Sequence, residues 1–346
     1  MNLSDHLRQQ LSQVNAKRWV VGFSGGADSV ALLHVLTSLN LSCPIVALHV
    51  NHHISEASDE WQAHCERQTS SFGVPIEVMH CHFSNPSIVN EQGARDARYK
   101  NFEGFLVDGD VLLLAHHADD QFETTLLRLA RGDGLRGVLG IPSGRAVGKG
   151  SILRPLLDVT RRDIESYCSQ HALSVISDPA NFDSRFLRSR VRQSLVPVFE
   201  DVIPEARQRV NESRQKLEQS YRTMLELFAV VGSGHTGIHR FGHWWRPLDE
   251  LSDQRDWLHF WLSEKLSIQF RSTVFDTLLS ALDFDDDQHF ELKHPDGDFY
   301  WYDQRLWFCP KVTASVSTPM PAKSFQWFGD FYTVSEQVSG LRFRPG

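Results

Sequence analysis

Trp19 to Val35 read Trp-Val-Val-Gly-Phe-Ser-Gly-Gly-Ala-Asp-Ser-Val-Ala-Leu-Leu-His-Val, an apolar strand pattern that runs through Ser24-Gly-Gly-Ala-Asp-Ser29 into a helical pattern. Gly25 and Gly26 let the backbone turn sharply and approach a ligand closely. The first amides of a helix lack intrahelical partners and lie at its positive dipole end, where they bind anions. The stretch therefore predicts a pyrophosphate-binding turn between a strand and a helix.

This turn differs from the two commonest phosphate loops. It lacks the Lys-Ser/Thr ending of the ordinary P-loop, and it lacks the third glycine and the spacing of the dinucleotide fingerprint. A second glycine-rich stretch, Gly144 to Lys149, is one residue short of a P-loop and has no Ser or Thr after the lysine. We therefore expect the nucleotide at the first turn, with these candidate contacts: Ser24, Gly25, Gly26, Ala27, Asp28 and Ser29.

Apolar runs alternate with amphipathic stretches in the first half of the chain. The strand patterns are Pro44–Val50, Val74–His82 and Val111–Ala115, and the helical patterns are Ser55–Phe72, Asn90–Phe105 and a stretch that ends at about Arg131. Strands that alternate with helices predict a doubly wound parallel sheet covered on both faces. Ligands of such sheets lie beyond the carboxyl ends of the strands. Because three polar clusters follow apparent strands, we expect them to converge: Ser24–Ser29, Asn51–His53 and His116–Asp120.

Composition suits a globular protein of two or three domains, since the chain has 346 residues. The five cysteines are scattered without a Cys-x-x-Cys pair, which favours reduced thiols in a cytoplasmic protein. A charge-free run from Ser29 to Ser55 contains Pro44 and four histidines, so we do not interpret it as a membrane span. His80-Cys81-His82 alternates faces on an apparent strand and is not expected to bind metal.

Charge is unevenly distributed, although the net charge is −8. From Arg128 to Arg214 there are fourteen arginines and one lysine against ten acidic residues, whereas Asp283 to Asp287 load the far end with negative charge. A basic region in an acidic chain is typical of a phosphate-contacting face. A solvated, salt-bridged helical surface is the alternative.

The second half of the chain predicts further helices and a hairpin. Helical patterns cover Thr160–His171 and Glu205 to about Val231, Gly132–Gly150 has the composition of a mobile loop, and Pro295-Asp-Gly297 predicts a hairpin turn. Seven of the nine tryptophans follow the long helix, and the helical spacing of Trp257 and Trp261 favours a small core over a base-stacking surface. We expect an α/β domain at 1–215, a smaller, mainly helical domain with a hairpin at 216–335, and the start of a further domain at 336–346.

Taken together, the motifs resemble those of the bacterial tRNA(Ile)-lysidine synthases, which belong to the PP-loop ATP pyrophosphatases. The resemblance rests on Ser24-Gly-Gly-Ala-Asp-Ser29, His49-Val-Asn-His52, Glu91-x-x-Ala-Arg-x-x-Arg-Tyr99, Ala115-His-His-Ala-Asp-Asp-Gln-Phe-Glu-Thr124, Leu127-Arg-Leu-Ala-Arg-Gly132, Arg154-Pro-Leu-Leu157, Asp178-Pro-Ala-Asn181 and Arg185-Phe-Leu-Arg-Ser-Arg190. Two departures stand out. His53-Ile-Ser-Glu56 replaces the usual Leu-Arg pair after His52, and the chain stops at Leu341–Gly346, which resembles the opening strand of the family's C-terminal domain.

The resemblance implies ATP-dependent ligation of free L-lysine to C2 of the wobble cytidine of tRNA(Ile) with a CAU anticodon, through an adenylated cytidine. It implies the catalytic residues Asp28, His116, His117 and Asp120, with Asp28 as candidate Mg2+ ligand, and a possible homodimer. It also implies substrate or tRNA contacts by Arg95, Arg98, Glu123, Arg185, Arg188, Arg190 and Arg192. The alternatives are another PP-loop activity, such as tRNA thiolation or amidation, and a non-catalytic nucleotide- or RNA-binding module.

Overall fold

The computed structural model describes residues 2–81, 83, 91–176, 187–239, 242–249, 251, 253–266, 268, 272–280, 290–302, 304–311, 324–327 and 330–333. Three parts of the sequence analysis lie outside these residues: the motif Asp178–Asn181, Arg185, and the segment 336–346. The chain divides into two compact units, Met1–Tyr221 and Arg222–Gly346, which are described separately.

The first unit contains a six-stranded, mainly parallel sheet. Its strands are β1 (Arg18–Gly22), β2 (Ile45–Asn51), β3 (Ile76–His80), β4 (Asp110–Leu113), β5 (Gly144–Val147) and β6 (Gly150–Leu153). Their order is β3-β2-β1-β4-β6-β5, and every neighbouring pair is parallel except the β5–β6 hairpin. The predicted doubly wound parallel sheet is therefore confirmed.

The helices that begin in the first unit are α1 (Leu3–Leu11), α2 (Ala27–Ser38), α3 (Ser58–Ser71), α4 (Glu91–Phe105), α5 (Ala118–Ala130), α6 (Leu135–Val138), α7 (Arg161–Gln170), α8 (Leu187–Arg190), α9 (Val196–Val202) and α10 (Ala206–Val231). Of these, α1, α2 and α7 pack in an apolar cluster on one face of the sheet, and α4 packs in a cluster on the other. A π-helical segment, Val191–Leu195, joins α8 to α9. Because Asn2 and Thr160 accept hydrogen bonds from first-turn amides, α1 and α7 begin at those residues.

The central strands are apolar on both faces because both faces are covered. Val21 on β1 packs in the cluster that contains α1, α2 and α7, whereas its neighbour Val20 packs in the cluster that contains Phe102 of α4 and Leu106, the residue after that helix. This double burial fixes the carboxyl ends of β1, β2 and β4 side by side.

The predicted mobile loop, Gly132–Gly150, contains ordered structure. Helix α6, strand β5 and a two-residue turn at Gly148-Lys149 account for most of it. Gly148 has a φ of +52°, which suits the tight turn of a two-residue hairpin. The glycine and polar content of the stretch thus reflects an antiparallel edge hairpin as well as a loop.

The second unit packs helices against a five-stranded antiparallel sheet. Its helices are α11 (Arg255–Phe260) and α12 (Ser272–Ser280), with a π-helical segment at Trp261–Lys265. Its strands are β7 (Thr236–His239), β8 (Gly242–Trp245), β9 (Phe290–Lys293), β10 (Gly297–Tyr302) and β11 (Arg305–Pro310) in the order β7-β8-β11-β10-β9, and β12 (Ser324–Trp327) pairs with β13 (Asp330–Thr333). The predicted hairpin is confirmed, since β9 and β10 pair antiparallel around 294–296.

Four described tryptophans of the second unit, Trp245, Trp257, Trp261 and Trp301, lie in its core, as the helical spacing of Trp257 and Trp261 predicted. Trp245, Trp257 and Trp261 are buried together, and Trp257 Nε1 donates to the Arg246 carbonyl at 2.9 Å. Trp244 and Trp307 are cross-strand neighbours that keep partial exposure. Within the described residues, no helix combines the length and apolar character needed to cross a membrane.

Candidate functional site

The phosphate-binding turn lies where β1 meets α2. Gly25 has a φ of +77°, and Gly26 is the N-cap of α2 without a side-chain capping bond. The Ser29 hydroxyl donates to the Gly26 carbonyl at 3.1 Å and accepts from the Ser24 amide at 3.2 Å, which closes the turn. Since a capping side chain does not cover the helix end, its first amides can receive an anion.

Asp28, His117 and Asp120 come together at this turn. His117 is the N-cap of α5, directly after β4, and its Nε2 lies 3.7 Å from Asp28 Oδ2 and 3.6 Å from Asp120 Oδ2. His117 is only 3% exposed, whereas the Asp28 side chain is 40% exposed. Two carboxylates therefore face one buried imidazole beside the nucleotide turn.

The charges around Asp28 and Asp120 shift their acidity in opposite directions. Burial and the Asp120 carboxylate raise the pKa of Asp28, although His117, Arg161 and Arg192 oppose this shift. Burial also opposes ionisation of Asp120, but His117, Arg188 and a hydrogen bond from the His117 amide together lower its pKa. Asp120 is therefore firmly ionised, whereas the negative charge of Asp28 is less well stabilised.

His116 differs from His117 in its surroundings. Burial, with Arg154 next among the groups that oppose protonation, lowers the pKa of His116 to about 3, although Asp120 acts in the other direction. Arg154 Nε donates to His116 Nδ1 at 3.3 Å. Because a guanidinium can only donate, Nδ1 is the acceptor and the imidazole carries its proton on Nε2. His116 is therefore a neutral hydrogen-bond donor at physiological pH.

The third predicted cluster lies at the end of β2. His49 Nδ1 lies 2.9 Å from the Phe23 carbonyl, which ties this strand to the nucleotide turn. Burial, followed by the charge of Arg98, lowers the pKa of His52 to about 4. Arg98 also acts on His116, so the structure brings all three polar clusters to one end of the sheet. Asn51 instead organises its own turn, since its side chain accepts from the His53 amide and donates to Gln62.

Arg188 and Arg192 are engaged in ion pairs, whereas Arg190 is exposed. Arg192 donates through Nε and Nη2 to both oxygens of Glu123 at 2.6 and 3.0 Å, and Arg188 Nε donates to Glu123 at 3.0 Å. Arg188 Nη2 also donates to Asp120 Oδ1 at 3.2 Å. Glu123 is buried, so these two arginines and two acids form a nearly closed ion-pair network. Arg190 is exposed on the same short helix.

Asp119 has a structural position beside the site. Its Oδ2 accepts from the Arg161 amide at 2.9 Å, at the start of α7, and its Oδ1 pairs with Arg207 of α10. Asp119 Oδ2 also lies 3.7 Å from His117 Nδ1, so Asp119 both joins three helices and contacts the imidazole on the side opposite Nε2. A cavity of about 140 Å³ lies here and is lined by Asp119, Phe122, Glu123, Arg161, Arg192, Val196 and Arg207.

Arg95 and Arg98 lie on α4, at the edge of the crevice. The Arg95 guanidinium carbon lies 5.2 Å from the centroid of the Tyr99 ring, and Arg98 acts electrostatically on His52 and His116. The family motif that contains both residues was the signal for them in the sequence. This motif did not reveal Arg154, which is 3% exposed and donates to His116, Tyr99 and the Pro142 carbonyl. Its position in the Arg154-Pro-Leu-Leu157 motif was the available signal.

The residues present suit a magnesium ion better than a zinc ion. In the described part of the chain, no group of three or more His, Cys, Asp or Glu side chains could hold a metal. Magnesium is commonly bound by one or two carboxylates together with substrate phosphates. Asp28 and Asp120 supply two carboxylates, and burial followed by the Asp120 charge raises the pKa of Asp28, so a divalent cation would stabilise its ionised form.

The strand-turn-helix and the crevice at the carboxyl ends of β1, β2 and β4 define a PP-loop nucleotide-binding protein, and a model of the PP-loop domain family matches residues 1–199. The tRNA(Ile)-lysidine synthase of Nitrosomonas europaea is 30% identical over 331 residues, which cover 94% of this chain and 71% of that relative. The chain belongs to the tRNA(Ile)-lysidine synthase family.

Two further similarities bear on the extent and the fold of the chain. The tRNA(Ile)-lysidine synthase of Pseudomonas putida is 37% identical over 269 residues, 73% of this chain and 61% of that relative, so the chain spans about three fifths of that relative's length. The U34-tRNA thiolase NcsA from Methanococcus maripaludis superposes with a TM-score of 0.53 at 17% identity, over 62% of this chain and 78% of that chain. This similarity supports the fold alone.

Proposed function

We propose that this chain forms lysidine, by joining the side-chain amine of free L-lysine to C2 of the wobble cytidine of tRNA(Ile) with a CAU anticodon. ATP would be split into AMP and pyrophosphate, with AMP transferred to the C2 oxygen to make it a good leaving group. The observation that carries this proposal is the Asp28–His117–Asp120 group at the phosphate-binding turn of a chain from this family.

The nucleotide turn supports binding of the ATP phosphates. The amides at the start of α2 would stabilise the negative charge that develops on the departing pyrophosphate. Asp28 and Asp120 would hold Mg2+, which would neutralise charge on the phosphates when bound. Asp28 is the more accessible of the two, with a side chain that is 40% exposed against 14% for Asp120.

The two histidines support different roles. The lysine amine has an ordinary pKa of about 10.4 and must lose a proton before it attacks. We assign proton acceptance to His117, because its buried imidazole lies beside the nucleotide turn, with Nε2 within 3.7 Å of two carboxylates that can orient the ring. We assign a hydrogen-bond donor role to His116, since its Nδ1 is occupied by Arg154 and its pKa of about 3 makes it a poor base.

The arginines also divide into two groups. Glu123 holds Arg188 and Arg192 in place, so we propose that these residues position Asp120 and line the substrate pocket. Arg95, Arg98 and Arg190 would contact tRNA phosphates, and Arg185 remains a prediction from the family motif.

Cysteine chemistry favours lysidine formation over sulfur transfer. Burial raises the pKa of the Cys65 thiol to about 12 and that of the Cys168 thiol to about 11. A sulfur-transfer enzyme needs an accessible thiolate, which a raised pKa opposes.

We also propose an organisation of the chain. Residues 1–215 would form the catalytic part and 216–335 a tRNA-contacting part of a cytoplasmic enzyme that acts as a homodimer. Sedimentation velocity of the purified protein tests the dimer, and a single monomeric species would contradict it.

Radiolabelled lysine tests the reaction directly. The protein is incubated with ATP, Mg2+, labelled lysine and a tRNA(Ile) transcript carrying CAU, and a tRNA(Met) transcript serves as the specificity control. We expect label in tRNA(Ile) alone and one pyrophosphate released per lysine joined. ATP cleavage without labelled tRNA would favour another PP-loop activity, and ATP binding without cleavage would favour a binding module.

Asp28→Ala tests the site within the same assay. We expect it to abolish pyrophosphate release, whereas Asp108→Ala, which removes an exposed carboxylate before β4 at the opposite end of the sheet, should retain it. Pyrophosphate release by Asp28→Ala at the rate of Asp108→Ala would remove Asp28 from the mechanism.

A further inference from the structure

A group of arginines in the first unit extends from Arg95, a predicted tRNA contact, to four arginines that are not among the site residues predicted from the sequence. Its members come from α4, the end of α5, α6 and strand β5, and we name them the arginine patch: Arg95, Arg128, Arg131, Arg136 and Arg145. We propose that the arginine patch is a binding surface for an RNA phosphate backbone, which it guides toward His116. This inference rests on the proposed function and extends it to residues 131–145.

Tyr99 links the patch to the site. Arg95 and Arg145 both approach its ring, with guanidinium carbons 5.2 and 4.9 Å from the ring centroid. Arg154 Nη2 donates to the Tyr99 hydroxyl at 3.2 Å, and Arg154 Nε donates to His116. A continuous chain of contacts therefore runs from Arg145, through Tyr99 and Arg154, to the reacting end of the sheet.

Positive charges are packed together in the patch. The pKa of Arg128 is lowered by burial and by Arg131, Arg95 and Arg136, whereas Asp133 opposes this shift. Arginines that depress one another's protonation repel one another, which costs stability in the absence of an anion. A polyanion would relieve this repulsion.

The patch is held on a rigid frame. Gln121 Nε2 donates to the Ile141 carbonyl at 2.7 Å, and Gln121 Oε1 accepts from the Ile141 amide at 2.6 Å. Arg128 Nη1 donates to the carbonyls of Gly137 and Gly140 at 2.9 and 2.6 Å. These bonds hold the backbone between Arg136 and Arg145, so the segment that carries these two arginines is ordered before a ligand arrives.

The frame also explains a glycine in this segment. Gly140 has a φ of +78°, and a Cβ there would lie 2.3 Å from Gln121 Oε1. A side chain at Gly140 would therefore disrupt the hydrogen bonds between Gln121 and the Ile141 backbone. Such local constraint is expected where cations must be presented at a defined spacing.

Exposure distinguishes the patch from the arginines of the ion-pair network. Arg131 and Arg145 are exposed, whereas Arg188 and Arg192 are engaged by Glu123 and Asp120. The alternation of guanidinium groups with an aromatic ring also favours RNA over an acidic protein, because arginine and tyrosine can stack on bases as well as neutralise phosphates.

The test uses the full chain with Arg131→Gln and Arg145→Gln, alone and combined. The matched control combines Arg8→Gln and Arg162→Gln, which remove two exposed arginines of the same unit on α1 and α7. The affinity for the tRNA(Ile) transcript is measured over a series of KCl concentrations, and ATP affinity is measured in parallel to confirm an intact fold.

We expect the double patch variant to bind tRNA at least tenfold more weakly at low salt. Its plot of log affinity against log salt should be shallower by about 1.4–1.8, because each lost phosphate contact removes about 0.7–0.9 from the slope. The control variant should keep the wild-type slope. A wild-type slope in the double variant, with labelled lysine still joined to tRNA by the wild-type protein, would overturn the patch but leave the proposed function standing. A wild-type protein that neither binds nor labels tRNA would overturn both.

Discussion

Replacing Gly25 by alanine perturbs the phosphate turn in two ways that can be separated. The residue has a φ of +77°, where an L-residue costs about 1–2 kcal/mol. A Cβ at Gly25 would also lie 2.5 Å from Ile176 Cδ1 and 3.0 Å from Cys65 Sγ, and overpacking of this kind costs about 1–3 kcal/mol. The two costs add to about 2–5 kcal/mol.

Two other glycines serve as matched controls. Gly73 has a φ of +67° but nothing within 4 Å of the position that a Cβ would occupy, so Gly73→Ala carries the backbone cost alone, about 1–2 kcal/mol. Gly26 has a φ of −72° and only Ser24 Oγ, at 3.6 Å, near its Cβ position, so Gly26→Ala carries neither cost.

Thermal unfolding followed by circular dichroism measures the difference. A change of 1 kcal/mol lowers the Tm of a unit of this size by about 2–4 °C, so we expect losses of about 4–20 °C for Gly25→Ala and about 2–8 °C for Gly73→Ala. Gly26→Ala should remain close to the wild-type protein.

ATP affinity, measured by calorimetry, gives the second readout. Gly25→Ala shifts the amides that receive the phosphates, so we expect at least a tenfold loss, which corresponds to about 1.4 kcal/mol. Gly73 lies between α3 and β3, and Gly73→Ala should bind ATP like the wild-type protein. A Tm for Gly25→Ala equal to that of Gly26→Ala would contradict the backbone and packing costs at Gly25. Wild-type ATP affinity in Gly25→Ala would contradict the role of this turn in phosphate binding.

Three further predictions concern the residues around His116 and His117. Asp119→Ala removes the acceptor for the Arg161 amide and the partner of Arg207, so we expect a loss of about 0.5–2 kcal/mol in the free energy of unfolding in urea, and an unchanged value would contradict its structural role. Stability should also fall in acid, because His116 (pKa about 3) stays neutral in the fold while the unfolded imidazole binds a proton below about pH 6.5. The contribution of neutral His116 to the free energy of unfolding is complete above pH 6.5 and is lost as the pH falls toward 3. Titration by NMR should show that Arg154→Met raises the pKa of His116, and an unshifted titration would contradict the contribution of Arg154.

The local sequence pattern was sufficient to predict the first strand, the glycine turn and the helix that follows it. The stretch from Trp19 to Val35 predicted β1, the turn and α2, because strand burial, glycine freedom and helix amides are properties of adjacent residues. The topology rule for parallel sheets then predicted that the three polar clusters would meet. The contact of His117 with Asp28 agrees with that prediction, although the chemical role of each residue stays a prediction.

Long-range pairing could not be predicted from spacing. Arg188 and Arg192 formed a basic cluster in the sequence, but in the fold they engage Glu123, 65 and 69 residues away. Gly132–Gly150 had the composition of a loop, but Gln121 and Arg128 clamp it into an ordered frame. Composition reports what a segment can do alone, and it contains no information on a distant partner.

By itself, the sequence determined the parallel α/β architecture, the phosphate turn and the family, because each depends on local pattern or on motifs in chain order. Only the tertiary structure decided which charges are neutralised and which are available. It keeps His116 neutral through burial and the charge of Arg154, encloses Arg188 and Arg192 in ion pairs, and leaves Arg131 and Arg145 exposed. The physical reason is that the charge state and the reach of a side chain depend on its burial and on its neighbours in space.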